Sequence, residues 1–144
     1  MNREIKFRTW DKEEKKMHYS DSKLDYDIWF SLARGKVECL QNCAYTDSFG
    51  DEHDDWQPLD NIMQYIGLRD KNGKEIYEGD IVEIPKEDGY FKIEWDGDSA
   101  RFVMNGDGLT VDFDNFWSYE IEVVGNRFDN PELLDNDLGE NTYE

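Results

Sequence analysis

The chain has 144 residues, with 16 Lys or Arg against 35 Asp or Glu, so its formal net charge is −19. This length fits one ordinary domain or two very small ones, and it can bury a core without disulfide bonds. The acidic excess excludes direct binding to nucleic acid phosphates and to anionic membranes, because both depend on cationic side chains. The first residues form no apolar signal region, and no run of about 18 apolar residues occurs, so we expect a cytosolic protein.

The composition and the first half of the chain predict β-hairpins. Five Trp, eight Tyr and eight Phe favour strands over helices. Residues 3–10 alternate apolar and charged side chains, residues 11–16 are typical of a turn, and residues 17–19 begin a returning strand. Helix and strand spacings both fit residues 24–40, and the dipeptide Arg34-Gly35 favours a second hairpin. We expect residues 41–58 to be a long acidic loop that closes an N-terminal β-rich region, 1–58.

Strand signals are denser from residue 59 onwards, where each apolar run ends at a turn signal. Asn72-Gly73 predicts a tight turn with positive φ angles, and Pro85 ends a strand because it lacks an amide donor. The predicted strands are Ile62–Leu68, Ile76–Tyr77, Ile81–Ile84, Tyr90–Trp95, Arg101–Met104, Leu109–Phe113 and Ile121–Val124. This spacing indicates a small barrel or sandwich over residues 59–134. A short helix capped by Asn130 is expected near the end, followed by an acidic tail, 135–144.

Two sets of carboxylates are candidate metal ligands. The run Asp51–Asp55, with His53, offers ligands for a divalent cation but lacks the alternation of an EF-hand, so a solvated acidic loop is the preferred interpretation. The pairs Asp96/Asp98 and Asp112/Asp114 would each share a face of a strand, as a metal-dependent hydrolase requires. The first pair flanks a turn glycine and the second alternates with apolar residues, so turn and surface roles are preferred.

No other residues form a persuasive catalytic or cofactor site. A catalytic role for His18 or His53 would need a nucleophile and an orienting group, and the sequence identifies neither. Cys39 and Cys43 are four apart, which matches neither redox nor zinc motifs, so inert thiols are expected. The segment 106–108, Gly-Asp-Gly, is too short for a phosphate loop. The sequence therefore predicts no catalytic residue, no cofactor and no metal ligand.

The tryptophans are the candidate interface residues. Aromatic side chains concentrate binding energy at protein interfaces, although filling the core of the fold is an equally good explanation here. The five positions are Trp10, Trp29, Trp56, Trp95 and Trp117.

Three segments together resemble the YopX-like family of bacteriophage and prophage proteins. They are residues 3–11 (Arg-Glu-Ile-Lys-Phe-Arg-Thr-Trp-Asp), residues 63–82, which include Met-Gln-Tyr-Ile-Gly-Leu-Arg-Asp-Lys-Asn-Gly, and residues 122–134, which include Val-Val-Gly-Asn-Arg-Phe-Asp-Asn-Pro. The resemblance implies a phage-encoded, β-rich accessory protein of the bacterial cytoplasm whose C-terminal half is similar to an SH3-like barrel. It implies no catalytic activity.

Three functional hypotheses follow, in order of preference. The first is a non-enzymatic module that binds a protein partner or self-assembles, because the chain is rich in aromatics and has strand edges to cover. The second is an acidic mimic of nucleic acid that occupies a DNA-binding host protein, which the charge of −19 supports. The third is a metal-dependent hydrolase that uses the Asp pairs.

Overall fold

The protein is mostly β, as predicted. The computed structural model describes residues 3–22, 27–106, 108–115 and 120–134, and the predicted tail at 135–144 lies outside them. Among these residues are fourteen strands, a 3₁₀ turn at Phe113–Asn115 and a helical turn at 132–134. The fold has two compact units: an N-terminal unit, Lys6–Gln64, and a C-terminal unit, Tyr65–Glu144 together with Met1–Ile5.

The N-terminal unit is built from short antiparallel strands. β1 pairs with β2 and with the first residues of β8, β4 pairs with both β3 and β7, and β5 pairs with β6. The strands are β1 (Phe7–Asp11), β2 (Lys16–Tyr19), β3 (Ile28–Ala33), β4 (Lys36–Asn42), β5 (Tyr45–Thr46), β6 (Glu52–His53) and β7 (Trp56–Leu59).

Both predicted N-terminal hairpins are confirmed. β1 and β2 flank the predicted turn, and β3 and β4 are joined directly by Arg34 and Gly35. These two residues have φ angles of 54° and 76°, and two consecutive positive φ angles characterise the turn whose twist suits a two-residue hairpin. The helical alternative for residues 24–40 is therefore wrong where the structure describes the chain.

Residues 41–58 are more ordered than the long loop we expected. β5, β6 and most of β7 lie in this segment, and β7 pairs with β4 so that Leu40 is opposite Pro58. Proline is tolerated because β7 is the last strand of its three-stranded sheet and can leave one edge without an amide donor. The sequence did not predict these strands, because the side chains of the three strands are largely exposed and show no apolar alternation.

The C-terminal unit contains a five-stranded antiparallel sheet with the order β13-β12-β11-β10-β14. Its core combines nine buried apolar side chains that come from every one of these strands and from β9. The strands are β8 (Met63–Arg69, which starts in the N-terminal unit), β9 (Glu75–Tyr77), β10 (Asp80–Glu83), β11 (Phe91–Asp96), β12 (Arg101–Gly106), β13 (Leu109–Asp112) and β14 (Glu122–Asn126). Phe113 was expected to extend β13 but begins the 3₁₀ turn instead.

The turn between β8 and β9 is a hairpin, but Asn72-Gly73 does not form it in the predicted way. Gly73 has a φ angle of 80°, whereas Asn72 is not among the residues with positive φ. The Gly73 amide donates to the Asp70 carbonyl, and the Asp70 amide donates to the Lys74 carbonyl. This is a three-residue loop in which an ordinary turn is followed by a left-handed glycine.

The buried carboxylates of Asp70 and Asp80 accept backbone amides beside their turns. Asp70 Oδ1 accepts the amides of Asn72 and Lys74 at 2.9 Å each, and Asp80 Oδ2 accepts that of Tyr77 at 2.8 Å. Asp70 Oδ2 also accepts the amide of Val123 at 2.9 Å. This last bond joins the turn to β14 across 53 residues of sequence, which no local pattern predicts.

Asn130 starts the helical turn but does not cap it with its side chain. Its carbonyl accepts the Leu133 amide, whereas its side-chain Oδ1 accepts the Asn126 amide at 3.2 Å. A Cβ on Gly125 would collide with the Asn130 side chain, so the glycine leaves room for this return contact. The segment Gly125–Asn130 is thus held by its own hydrogen bonds, and the cap prediction is wrong for the side chain.

Candidate functional site

The tryptophans that the sequence marked as candidate interface residues differ in their exposure to solvent. Trp10 is 8% exposed, whereas Trp29, Trp56 and Trp95 are 60%, 42% and 51% exposed, and Trp117 lies outside the described residues. Trp10 therefore contributes to the core. The three exposed tryptophans are the ones that could contact a partner.

Trp29 and Trp56 lie on one face of the sheet β3-β4-β7. Trp29 is opposite Leu40, which is opposite Pro58, while Trp56 is opposite Asn42, two residues from Leu40. Residues directly opposite each other, and residues two apart on one strand, share a face of a sheet. The two tryptophans, Leu40 and Pro58 thus form a mainly apolar sheet face. Trp95, in the C-terminal unit, packs edge-on against Phe102 with ring centroids 5.0 Å apart.

The β5–β6 hairpin (residues 45–53) extends from the same two strands. The amide of Cys43 donates to the Asp55 carbonyl at 2.7 Å, and the Asp55 amide donates to Asn42 Oδ1 at 3.0 Å. These bonds continue the pairing of β4 with β7 towards β5 and β6. At the far end of the hairpin Phe49 is 89% exposed, the most exposed of the large apolar side chains in the described chain.

The carboxylate of Asp47 fixes the loop that carries Phe49. Asp47 Oδ1 accepts the amides of Phe49 and Asp51 at 2.9 and 3.0 Å, and Oδ2 lies 2.7 Å from His53 Nε2. The hydrogen bond from His53, followed by that from the Asp51 amide, holds the pKa of the Asp47 carboxyl below its usual range. Tyr45 stacks on His53 with ring centroids 5.1 Å apart. An exposed aromatic residue is therefore presented on a well-bonded loop.

Sequence reasoning missed Phe49 because it attended only to tryptophans. The signal that could have found it is the pattern Asp47-Ser48-Phe49-Gly50-Asp51, in which an apolar residue stands beside glycine between two turn-forming aspartates. Such a residue has nothing local to pack against. Whether the Phe49 ring is exposed, however, depends on how the rest of the N-terminal unit folds.

The acidic run Asp51–Asp55 contributes to no group of three ligand atoms with metal spacing in the described chain. Asp54 Oδ1 accepts a hydrogen bond from Asn42 at 3.1 Å, Asp55 Oδ1 accepts one from Gln57 at 2.7 Å, and His53 pairs with Asp47. The carboxylates are thus directed to different neighbours. They leave the hairpin strongly acidic, since residues 37–68 contain seven Asp or Glu and no Lys or Arg.

The Asp pairs proposed for hydrolysis do not converge either. Asp96 accepts the Asp98 amide at 3.0 Å and the Ser99 hydroxyl at 2.6 Å, so it closes its own turn, while Asp112 forms a 3.0 Å ion pair with Arg101. The Ser99 and Asp98 hydrogen bonds lower the pKa of Asp96 from its usual range. Among the described residues, neither pair belongs to a group with metal-ligand spacing. The turn segment 106–108 is only partly described, because residue 107 lies outside that set.

A second cluster, which the sequence did not reveal, lies in the β1–β2 hairpin. Asp11 and His18 are 2% and 3% exposed, and Asp11 Oδ2 lies 3.2 Å from His18 Nε2 and 2.9 Å from Gln41 Nε2. Asp11 Oδ1 accepts the amides of Glu13 and Glu14 at 3.0 and 3.2 Å. Burial alone would raise the pKa of Asp11, but these hydrogen bonds, led by that from Glu14, lower it below its usual range.

A cleft of about 290 Å³ lies beside this cluster. Its lining combines apolar residues such as Trp10 and Leu59 with polar ones such as Asp11 and Gln41, and it includes the exposed Cys43. Cys39, by contrast, is buried. Both cysteines are free of disulfide bonds.

These observations define the class: a small, mostly β protein with an acidic, aromatic hairpin. The model of the family described as YopX protein matches residues 6–135, so the chain belongs to the YopX family. This confirms the resemblance found in the sequence. No helix in the described part of the chain is both long and apolar enough to cross a bilayer.

The chain is similar to a solved structure over nearly its whole length. The crystal structure of protein EF1440 from Enterococcus faecalis matches with 30% identity and a TM-score of 0.50, covering 92% of this chain and 99% of that one. Neither the name of that protein nor the description of the family specifies an activity. The comparison with curated proteins found no match.

Proposed function

We propose that this YopX-family protein is a phage- or prophage-encoded accessory protein that acts without catalysis, as a protein-interaction module in the bacterial cytoplasm. The observation that carries the proposal is Phe49, 89% exposed at the tip of the β5–β6 hairpin. Aromatic anchors that enter a pocket of the partner contribute a large share of the binding energy at interfaces. The module needs no cofactor and does not contact nucleic acid or membranes directly.

The internal bonding of the hairpin supports this role. Three donors converge on the Asp47 carboxylate, and the Asp47 amide itself donates to the Asp51 carbonyl at 2.9 Å. A loop that is already ordered loses little conformational entropy on binding, so more of the contact energy is available for affinity. Trp56 and Trp29 add exposed apolar surface on one face of the neighbouring sheet β3-β4-β7.

The charge around Phe49 indicates the chemistry of the partner. Seven Asp or Glu and no Lys or Arg occur between residues 37 and 68. A partner protein with an apolar pocket rimmed by Lys or Arg would meet this surface with complementary potential, which raises the association rate and rejects acidic partners. Self-association through the hairpin would place like charges together, so a different protein is the preferred partner over a second copy.

For the C-terminal unit we propose an SH3-like barrel. Support comes from the sheet order, in which β10 to β13 form a meander and β14 returns to pair with β10, preceded by the 3₁₀ turn. The shift of register between Ile81 and Val82 in β10 also bends the sheet, as closure of a small barrel requires. In this arrangement the C-terminal unit has a structural role, and the N-terminal unit carries the surface that contacts the partner.

The proposal is tested by capture from a bacterial lysate with the tagged full chain and its Phe49→Ala variant. We expect the wild type to retain a specific protein whose capture falls with Phe49→Ala, by about 2 kcal/mol or more when affinity is measured with the purified partner. Ser48→Ala, beside it in the same loop, is the matched control and should bind normally. Light scattering on the same samples measures self-association directly.

Equal capture by the wild type, Phe49→Ala and a Trp29→Ala/Trp56→Ala double variant would contradict the proposed surface. Circular dichroism should show that every variant is folded before its binding is compared. A specific partner whose capture depends only on Trp95 would instead place the contact on the C-terminal unit.

A nucleic acid mimic is the second candidate, because the net charge is −19 and the hairpin region contains only acidic charges. In that case the partner is a DNA-binding protein, DNA competes for it, and binding weakens steeply as salt screens the attraction. Phe49→Ala would then have a small effect, while replacing Asp51 and Asp54 by Asn would have a large one. Failure of a DNA duplex to compete with the captured partner rules the mimic out.

A further inference from the structure

The β1–β2 hairpin brings three potential metal ligands together. Asp11 ends β1, Glu14 lies in the connecting loop and His18 lies in β2. One ligand atom from each residue falls within 4.8 Å of the others, and this is the one such group among the described residues. Asp11 and His18 are buried, while Glu14 is exposed at the edge of the group.

The register of the hairpin creates this arrangement. Thr9 is opposite His18 and Asp11 is opposite Lys16, so Asp11 and His18 are diagonal neighbours on one face of the pair. Asp11 Oδ2 and His18 Nε2 are 3.2 Å apart. Two ligands of a tetrahedral ion with bonds of about 2.0 to 2.1 Å are about 3.3 Å apart, so an ion could bind both atoms with almost no movement.

The surroundings hold the first two ligands in place. Gln41 donates to Asp11 Oδ2 at 2.9 Å, and two loop amides occupy Oδ1. A ligating carboxylate can accept such outer hydrogen bonds while it binds an ion, and they commonly tune affinity. Glu14 is only loosely engaged, its Oε2 lying 4.0 Å from Lys16 Nζ, so its carboxylate can turn towards the ion.

We propose that Asp11, Glu14 and His18 bind one divalent transition metal ion of the zinc class. One imidazole nitrogen with two carboxylate oxygens suits Zn²⁺, whereas Mg²⁺ and Ca²⁺ prefer ligand sets made entirely of oxygen. The ion bridges His18 Nε2 and Asp11 Oδ2, which are in direct contact in its absence, and it joins both strands to their loop. Its role is to stabilise the hairpin, independently of the partner surface around Phe49.

The test is a titration of the full chain, freed of metal by a chelator, with Zn²⁺ by calorimetry and with Co²⁺ by visible absorption. We expect one ion per chain, displacement of Co²⁺ by Zn²⁺, and a higher Tm in the presence of Zn²⁺ because the ion binds the folded state. Glu14→Gln changes an exposed side chain and should leave the fold intact while weakening binding about tenfold or more. His18→Gln should abolish binding.

The second histidine supplies the matched control. His53 also pairs with an aspartate, at 2.7 Å from Asp47, but it belongs to no three-ligand group in the described chain. His53→Gln should therefore bind Zn²⁺ as the wild type does. The proposal is overturned by the absence of saturable binding up to millimolar Zn²⁺, by normal binding in Glu14→Gln, or by loss of binding in His53→Gln. Glu14→Gln decides the matter even if His18→Gln fails to fold.

Discussion

The two units bury different kinds of side chain. Among the described residues, thirteen buried apolar side chains belong to the C-terminal unit and three, Trp10, Cys39 and Met63, to the N-terminal unit. Buried polar or charged residues are distributed in the opposite way, with two in the C-terminal unit and four in the N-terminal unit, namely Arg8, Thr9, Asp11 and His18.

This contrast indicates how each unit is stabilised. Burial of apolar area contributes to stability without regard to direction, so the C-terminal unit tolerates changes that preserve volume. Buried polar groups require partners at defined geometry, and losing one partner leaves the other unsatisfied. The N-terminal unit should therefore be sensitive to single polar substitutions. Polar groups held at defined geometry are also a suitable basis for a site that binds an ion or a partner.

The largest effect is expected in the apolar core. Ile93→Ala removes a side chain that is 1% exposed and lies in the middle of β11, so it should lower the free energy of unfolding by about 2 to 5 kcal/mol. Denaturant titration measures this change. Leu109→Ala, at a position 42% exposed in the same sheet, is the control and should have little effect. Similar losses in both variants would refute the assigned core.

A smaller effect is expected at the polar centre of the N-terminal unit. Asp11→Ala leaves His18, Gln41 and two loop amides without their shared acceptor, which should cost about 1 to 3 kcal/mol. The measurement is denaturant titration in a chelator, so that metal ions do not contribute. Glu13→Ala is the control, because its side chain is exposed and only its amide reaches Asp11. Loss of protection from hydrogen exchange should be concentrated in the β1–β2 hairpin.

Acid should release the β5–β6 hairpin before it affects the apolar core. The folded pKa of Asp47 lies below its unfolded value of about 3.8, so its hydrogen bonds support the loop above that value and are lost as the pH falls through the folded pKa. Amide exchange at Phe49 and Asp51 measures the release. Asp47→Asn should remove most of this pH dependence. Exchange that is unchanged by acid or by the substitution would contradict the role given to Asp47.

The smallest effect on stability is expected at the most exposed position. Phe49→Ala should change the free energy of unfolding by less than about 0.5 kcal/mol, because the ring is 89% exposed and its loop is held by hydrogen bonds to the Asp47 carboxylate, to which Phe49 contributes only its amide. Thermal unfolding of the variant and of Ser48→Ala gives the comparison. A marked loss of stability in Phe49→Ala alone would mean that the ring packs against the chain and would weaken its proposed role as an anchor.

Local signals predicted the hairpins well, and they did so through turn chemistry. Arg34-Gly35 was sufficient to decide between helix and strand for residues 24–40, because two consecutive residues in the left-handed region match the twist of a hairpin. The same reasoning gave the right hairpin but the wrong turn at Asn72-Gly73, where Asp70 organises a longer loop. A side-chain acceptor can thus override the preference of a dipeptide.

The candidate sites were less predictable than the strands. The sequence directed attention to the aspartate pairs, which the structure uses in a turn and an ion pair. His18 was considered only as a catalytic residue, and its pairing with Asp11, seven residues away in a charged segment, was not predicted. The sequence was equally unable to predict which tryptophans are exposed to solvent. Trp10 stands between polar Thr9 and Asp11, and Trp29 stands between apolar Ile28 and Phe30, yet Trp10 is buried and Trp29 is largely in solvent.

The sequence by itself determined the family, the mostly β class and the position of most strands, since alternation and turn residues act over a few neighbouring positions. Only the tertiary structure decided which aromatic residues are exposed, how the polar segment 41–58 pairs with β4, and which carboxylate meets a histidine. These outcomes depend on contacts between residues far apart in the chain. Such contacts leave no periodic pattern in a single sequence.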